Sequence, residues 1–267
     1  MSKSSKRERQ RQNREARREY EEALHRRRRR LRTARNLAFF IVPVLVAGAV
    51  ISVASGGDDA GAVTCKEVKK PPAKPVQLTA PPMGIDQNQS YVATMQTSCG
   101  TIELSLLAQD YPINVNNFVS LANQGVYDAT AVLRVAKGGL VQGGSPNQTQ
   151  EGGPGYTTQG EVPTAAKAYP VGTLAMAKTG TEPAATIGSQ FFIVAGNVGK
   201  KFTPDYAVVG TITKGLNVAK KIASLYPPGV DPTTGSTNDG KPTQNVVVEK
   251  VTITTRGIVP PSTTPSS

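Results

Sequence analysis

The sequence predicts a mainly β protein: a closed antiparallel β-barrel of about eight strands capped by two α-helices, preceded by one N-terminal transmembrane helix. Three observations predict it. Short β-branched and aromatic runs recur through residues 90–256. Only two stretches there carry apolar residues at helical spacing. Residues 37–54 hold no charge. Many short strands with two helices fit a barrel whose ends the helices plug. The expected organisation is a basic cytoplasmic tail (1–36), a transmembrane helix (37–55), a Pro/Gly-rich linker (56–89), one folded domain (90–256) and a disordered C-terminal tail (257–267).

The charge belongs to the tail. Residues 1–35 hold 15 Lys/Arg against 5 Glu, leaving 16 against 14 for the remainder of a chain whose net charge is +12. That distribution argues against specific nucleic-acid binding by the folded domain. Leu37–Ala54 spans roughly 27 Å as a helix, close to the ~30 Å hydrocarbon core of a bilayer. Arg26–Arg30, Arg32 and Arg35 flank one side, Asp58 and Asp59 the other. The positive-inside rule then puts the N-terminus in the cytoplasm and the domain outside the cell membrane, on a single-pass anchor. A cleaved signal peptide is the rival, with Ser52-Val53-Ala54 as a cut site, but the long cationic lead favours an anchor. The tail's Arg and Lys suit anionic lipid headgroups. The linker runs GGDDAG, KKPPAKP and APP, which stays extended as a spacer.

Within the domain, Tyr91–Thr97, Thr101–Leu106, Ala131–Ala136, Gly172–Ala177, Gln190–Ala195, Tyr206–Ile212 and Val247–Ile253 read as strands. Ile102, Leu104 and Leu106 alternate inward in the second, and Val247, Glu249, Val251 and Ile253 share one side of the last. A helix follows Pro112, with Val115, Phe118, Val119 and Ala122 on one face and Gly125 as its stop. A second covers about Leu216–Leu225. Residues 143–170 resist both patterns, and an irregular stretch of that length inside a domain is usually functional or mobile.

Much chemistry is excluded. The only histidine, His25, lies in the tail, so the domain has no Ser-His-Asp triad, Cys-His dyad or His-ligated metal. Two cysteines cannot make a four-thiolate zinc site. No metal and no cofactor are expected. Cys65 and Cys99 both fall outside the membrane on this topology, where thiols oxidise. A bridge would close a loop of about 34 residues and contribute roughly 3–4 kcal/mol by chain entropy; two unpaired buried thiols are the alternative.

Two segments carry the chemistry: Val132–Ser145 (VLRVAKGGLVQGGS), a lone Arg on a strand before a Gly-rich turn, and Leu174–Val194, containing LAMAKTG and GSQFFIV. Together with NFVSLANQGVYD at Asn117–Asp128, they resemble the cyclophilin family of peptidyl-prolyl isomerases, in order, over about residues 90–256. The resemblance implies that Arg134 is the catalytic arginine. It implies that Leu140 walls the proline pocket, Gln142 holds substrate backbone and Phe192 floors the pocket. Met176, Ala177, Lys178, Gln190, Phe202 and Tyr206 would line the substrate site. There are departures: Gly139 stands where the family usually has phenylalanine, Lys178 where it has asparagine, Lys201 at the place of a tryptophan and Tyr206 where a histidine is frequent.

The implied reaction explains the residue types. A prolyl bond is held planar by resonance against a barrier of ~18–20 kcal/mol. When it twists, its nitrogen gains a basic lone pair, to which a guanidinium donates only in that twisted state, and so binds the transition state preferentially. No nucleophile, metal or proton relay is needed. The expected partners are Pro-containing segments of exported proteins, within an actinobacterial-type envelope. The sequence sets no oligomeric state.

Overall fold

Alternation in one hairpin sets the inside of the sheet. β1 (Ser90–Thr97) pairs antiparallel with β2 (Gly100–Leu106), with Ala93 opposite Leu104 and Met95 opposite Ile102. These four side chains and Leu106 are buried, as period-2 patterning requires. The computed structural model describes residues 62–164, 169–229 and 237–256. The expected tail 1–36, transmembrane helix 37–55 and C-terminal tail 257–267 lie outside the described residues.

The remaining elements are α1 (Pro112–Asn123), β3 (Thr130–Ala131), β4 (Arg134–Ala136), β5 (Leu140–Gly143), β6 (Thr158–Gln159), β7 (Thr173–Met176) and β8 (Thr186–Ile187). They continue with β9 (Phe191–Val194), a 3₁₀ turn (Asn197–Lys201), β10 (Val208–Lys214), α2 (Leu216–Ala223), β11 (Asp239–Gly240) and β12 (Val247–Arg256). Among the described residues, ten strands form one antiparallel sheet in the order β11-β4-β5-β9-β7-β10-β2-β1-β12-β3, and β6 pairs with β8. The sheet curls, but its hydrogen-bonded order is open, where a closed ring of about eight strands was expected. Between its ends the chain itself makes the link: Val132 donates to Val246 O, and the next residue, Leu133, to Gln142 O.

Phe118, Val115, Val119 and Ala122 of α1, and Val218, Ala219 and Ile222 of α2, join the core that the inward strand faces build. Pro112 opens α1, where its missing N–H costs nothing. Gly125, at φ 68°, ends it: Gly125 N–H donates to Ala122 O and Val126 N–H to Leu121 O, satisfying two of the last carbonyls. The α1 face is not purely apolar, since Asn114, Asn116 and Asn117 are also buried, each holding backbone of another segment.

The expected pattern in the last strand is corrected. Gln96 pairs with Lys250 and Thr97 with Val248, so Glu249 is skipped in a one-residue bulge. The bulge reverses the phase. Val246, Val248 and Val251 face the core, while Glu249 is exposed.

Residues 62–89 contain no helix or strand, as the Pro-rich composition predicts, yet they are docked rather than free. Cys65 is disulfide-bonded to Cys99, and Val63, Leu78 and Ile85 pack against the core.

Candidate active site

Successive strand residues point to opposite faces, so each central strand has an inner and an outer row. Val135, Val141, Phe191, Ile193, Leu174 and Met176 fill the inner core. On the outer face, cross-strand pairing lines up Arg134 with Gln142, Gln142 with Phe192, and Phe192 with Ala175. The neighbouring row holds Ala136, Leu140 and Val194. A second apolar cluster forms there, with Leu140, Phe192, Tyr169, Phe202 and Tyr206 among its members.

A cavity of about 240 Å³ opens over this row, lined by Arg134, Leu140, Gln142, Phe192, Phe202, Tyr206, Ala177, Lys178 and Asp239 among others. A second, of about 470 Å³, shares Arg134, Gln142, Ala177 and Lys178 and adds Gln190. The structure thus gathers every expected site residue but one. Met176 is fully buried in the inner core, because alternation gives the outer face to Ala175.

Arg134 is held in a fork. Its Nε and Nη2 donate to the Asp239 carboxylate at 2.7 and 2.6 Å, and Nη1 donates to Gln142 Oε1 at 3.2 Å. A guanidinium carries five N–H groups; these bonds use three, leaving two free. The hydrogen bonds to Asp239 raise the guanidinium pKa above its ordinary value, although burial opposes this. The group stays charged, and 37 % of its side chain is exposed.

The glutamines follow in series. Gln142 Nε2 donates to Gln190 Oε1 at 3.2 Å, and Gln190 Nε2 donates to the carbonyls of Gln150 and Gly152 at 2.6 and 2.8 Å. The irregular segment after Gly143 is therefore tied to this series: two of its carbonyls orient the Gln190 amide.

The cavity floor is aromatic although Gly139 is not. Gly139 has φ 94°, and a Cβ there would lie 2.2 Å from Gly196 N. No phenylalanine fits this turn. The wall is rebuilt from elsewhere: Phe192 meets Tyr206 edge-on at 5.2 Å and Phe202 at 5.5 Å between centroids. Behind them Tyr169 donates from its hydroxyl to Tyr206 O and accepts from Tyr206 N–H, both at 2.8 Å. Burial pushes the Tyr169 phenol up to about 12. Lys178 Nζ sits 5.5 Å from the Tyr206 ring centroid and donates to Glu182 O at 3.0 Å.

Sequence reasoning missed Asp239 and Tyr169. Asp239 lies 105 residues from Arg134. The signal available for Tyr169 was an aromatic residue isolated in a loop, which alone points nowhere.

The fold and the site together are a curled antiparallel sheet with two helices, carrying an arginine over an apolar trough on its outer face. Residues 92–253 match the model of cyclophilin type peptidyl-prolyl cis-trans isomerases, so this chain belongs to that family. It is 38 % identical over 173 residues to a probable peptidyl-prolyl cis-trans isomerase B of Mycobacterium tuberculosis, covering 59 % of this chain and 53 % of that one. The chain thus spans about half the length of the mycobacterial relative. It is 39 % identical over 123 residues to peptidyl-prolyl cis-trans isomerase B of Bacillus subtilis, covering 46 % of this chain and 83 % of that one. A crystal structure of a Cryptosporidium parvum cyclophilin type isomerase, in the presence of the dipeptide Ala-Pro, superposes with a TM-score of 0.53 at 25 % identity, covering 61 % of this chain and 98 % of that one.

Proposed function

We propose that this chain catalyses cis–trans isomerisation of prolyl bonds in exported proteins, from the outer side of a membrane in which residues 37–55 anchor it. One observation carries the catalytic reading: Arg134 keeps two N–H groups free beside the trough of Leu140, Phe192, Phe202 and Tyr206. A proline ring seated on that floor would bring its imide nitrogen to the guanidinium. As the bond twists and resonance is lost, a free N–H donates to the new lone pair. Gln142 takes no proton; it steers Nη1 and offers its amide to substrate backbone.

Such a charge-assisted bond nets about 1.5–3 kcal/mol, or roughly 10- to 10²-fold in rate. The rest of the acceleration comes from an apolar slot that favours the less polar twisted bond. Membrane placement rests on the apolar run and its charge asymmetry, with the basic tail against anionic headgroups. The Cys65–Cys99 disulfide supports an oxidising side, and relatives in mycobacteria support an actinobacterial-type envelope. The test is exchange NMR on an X-Pro peptide with the full chain in detergent: acceleration supports the reading, and an unchanged exchange rate rejects it.

A second reading has one observation in its favour. The Asp239 carboxylate takes two of the five guanidinium donors and neutralises the charge beside the trough. On that reading the domain binds Pro-containing segments of a partner with little turnover, and Asp239→Ala raises the rate. On the first reading it lowers it.

A further inference from the structure

Residues 65–85 precede the family-matched stretch, which begins at residue 92. They are tied down along their whole length. The Cys65–Cys99 disulfide fixes one end, where Lys66 N–H also donates to Ser98 O. At the other end Asn116 of α1 donates to Pro82 O and accepts from Gly84 N–H. Between these anchors Val68 O accepts from Asn245 Nδ2 at 3.1 Å, and the other hydrogen bonds go to the irregular loop 146–155. Lys70 Nζ donates to Gln148 O at 2.8 Å, Lys74 N–H to Pro146 O at 2.8 Å, Gln77 Nε2 to Gly155 O at 3.2 Å and Leu78 N–H to Pro154 O at 2.8 Å.

The same loop offers two other carbonyls, Gln150 O and Gly152 O, to Gln190 Nε2. A primary amide has two N–H donors and one oxygen. With the nitrogen committed to two carbonyls, Gln190 must present its oxygen to Gln142, which must then present its own oxygen to Arg134 Nη1. The loop therefore sets the sense of the whole amide series. Without it, both side chains are free to turn over, and Arg134 loses its third support.

We infer that residues 65–85 form a strap that positions the active site, acting through loop 146–155 on Gln190, Gln142 and Arg134. The inference rests on the isomerase reading only for its kinetic consequence. No strap residue lines either cavity that holds Arg134, so the strap residues are positioning residues, not catalytic ones.

The experiment uses the full ¹⁵N-labelled chain in detergent and a variant carrying Lys70→Met, Lys74→Pro and Gln77→Ala, all at exposed positions of the extended strap. The variant is compared with wild type and with Lys214→Met, an exposed change on β10 whose ion pair is with Glu103 of β2. The expected result is a fall of about threefold to tenfold in kcat/KM, with altered side-chain amide signals for Gln142 and Gln190. Lys214→Met leaves both readouts unchanged. A merely stabilising strap is separated by repeating the substitutions in a Gln190→Ala background, where the strap effect on kcat/KM should vanish. An equal loss in both backgrounds, or wild-type amide signals in the strap variant, overturns the inference. If the triple variant does not fold, Gln77→Ala alone is judged by the same two criteria. If wild type does not accelerate exchange, the isomerase reading fails, and the amide signals alone decide whether the strap orients the site.

Discussion

On the proposed mechanism, Arg134 acts only as well as it is aimed. A guanidinium on a long flexible stem loses much rotamer freedom when fixed, and here the two-point bond to Asp239 fixes it. Replacing Asp239 by Ala should therefore lower kcat/KM by about tenfold, the effect of misplacing one strong donor. Asp239→Asn, which keeps one acceptor, should fall between; a protease-coupled assay on X-Pro peptides checks both. The motif residues Arg134, Gln142, Gln190 and Phe192 were legible because they sit within two short sequence segments, on three strands and one flank, at fixed spacing. Asp239 was not, because a two-residue strand distant in sequence delivers it. Met176 was misassigned for a local reason: motif reading runs along the chain, whereas the pleat hands alternate residues to opposite faces. Gly139 reads in the sequence as a missing aromatic wall; the structure shows a turn with no room for a side chain, and an aromatic cluster from residues 169–206 in its place.

Element by element, patterning decides what is readable. β1, β2, β10 and both helices announce themselves through periodicity, while β3, β6, β8 and β11 have two residues each, too few for any period. The bulge at Glu249 reverses β12 without a Gly to mark it. Least expected is the polar side of α1. Asn114 Nδ2 donates to Val208 O and Glu161 O, and Asn117 Nδ2 to Gly188 O while its oxygen accepts from Tyr156 Oη. These amides satisfy loop backbone that has no ladder of its own. Asn117→Ala should cost about 1–3 kcal/mol, the range for leaving buried polar groups unpaired, and urea unfolding measures it. Glu161 caps the same helix from outside, accepting from Ile113 and Asn114 N–H at 3.0 and 3.3 Å. The α1 N-terminus lacks a side-chain cap at Tyr111, so this distant carboxylate supplies what local sequence does not.

For the whole domain, buried tyrosines bring a pH dependence. Burial raises Tyr156 and Tyr169 from 10.0 to about 12, and Tyr127, fully buried, well above 10.0. Between those values the folded state keeps protons that the unfolded chain releases, so their contribution is complete below pH 10 and is lost as pH rises toward 12. Urea midpoints on either side of that window should fall with pH, and fall less steeply in Tyr169→Phe. The mainly β class and the two helices were legible in the sequence; the openness of the sheet, the outer-face placement of the candidate site and the docked strap were not. Closure depends on which backbone groups pair where the chain passes from β3 to β4. A Pro-rich segment docked by main-chain bonds has the same composition as a free spacer. The most direct test of the central claim is exchange NMR on one X-Pro peptide with the full chain and its Arg134→Ala variant, at saturating peptide. The account predicts acceleration by wild type and a loss of roughly 10- to 10²-fold in the variant, with peptide affinity little changed. Wild-type exchange rates in Arg134→Ala would contradict it.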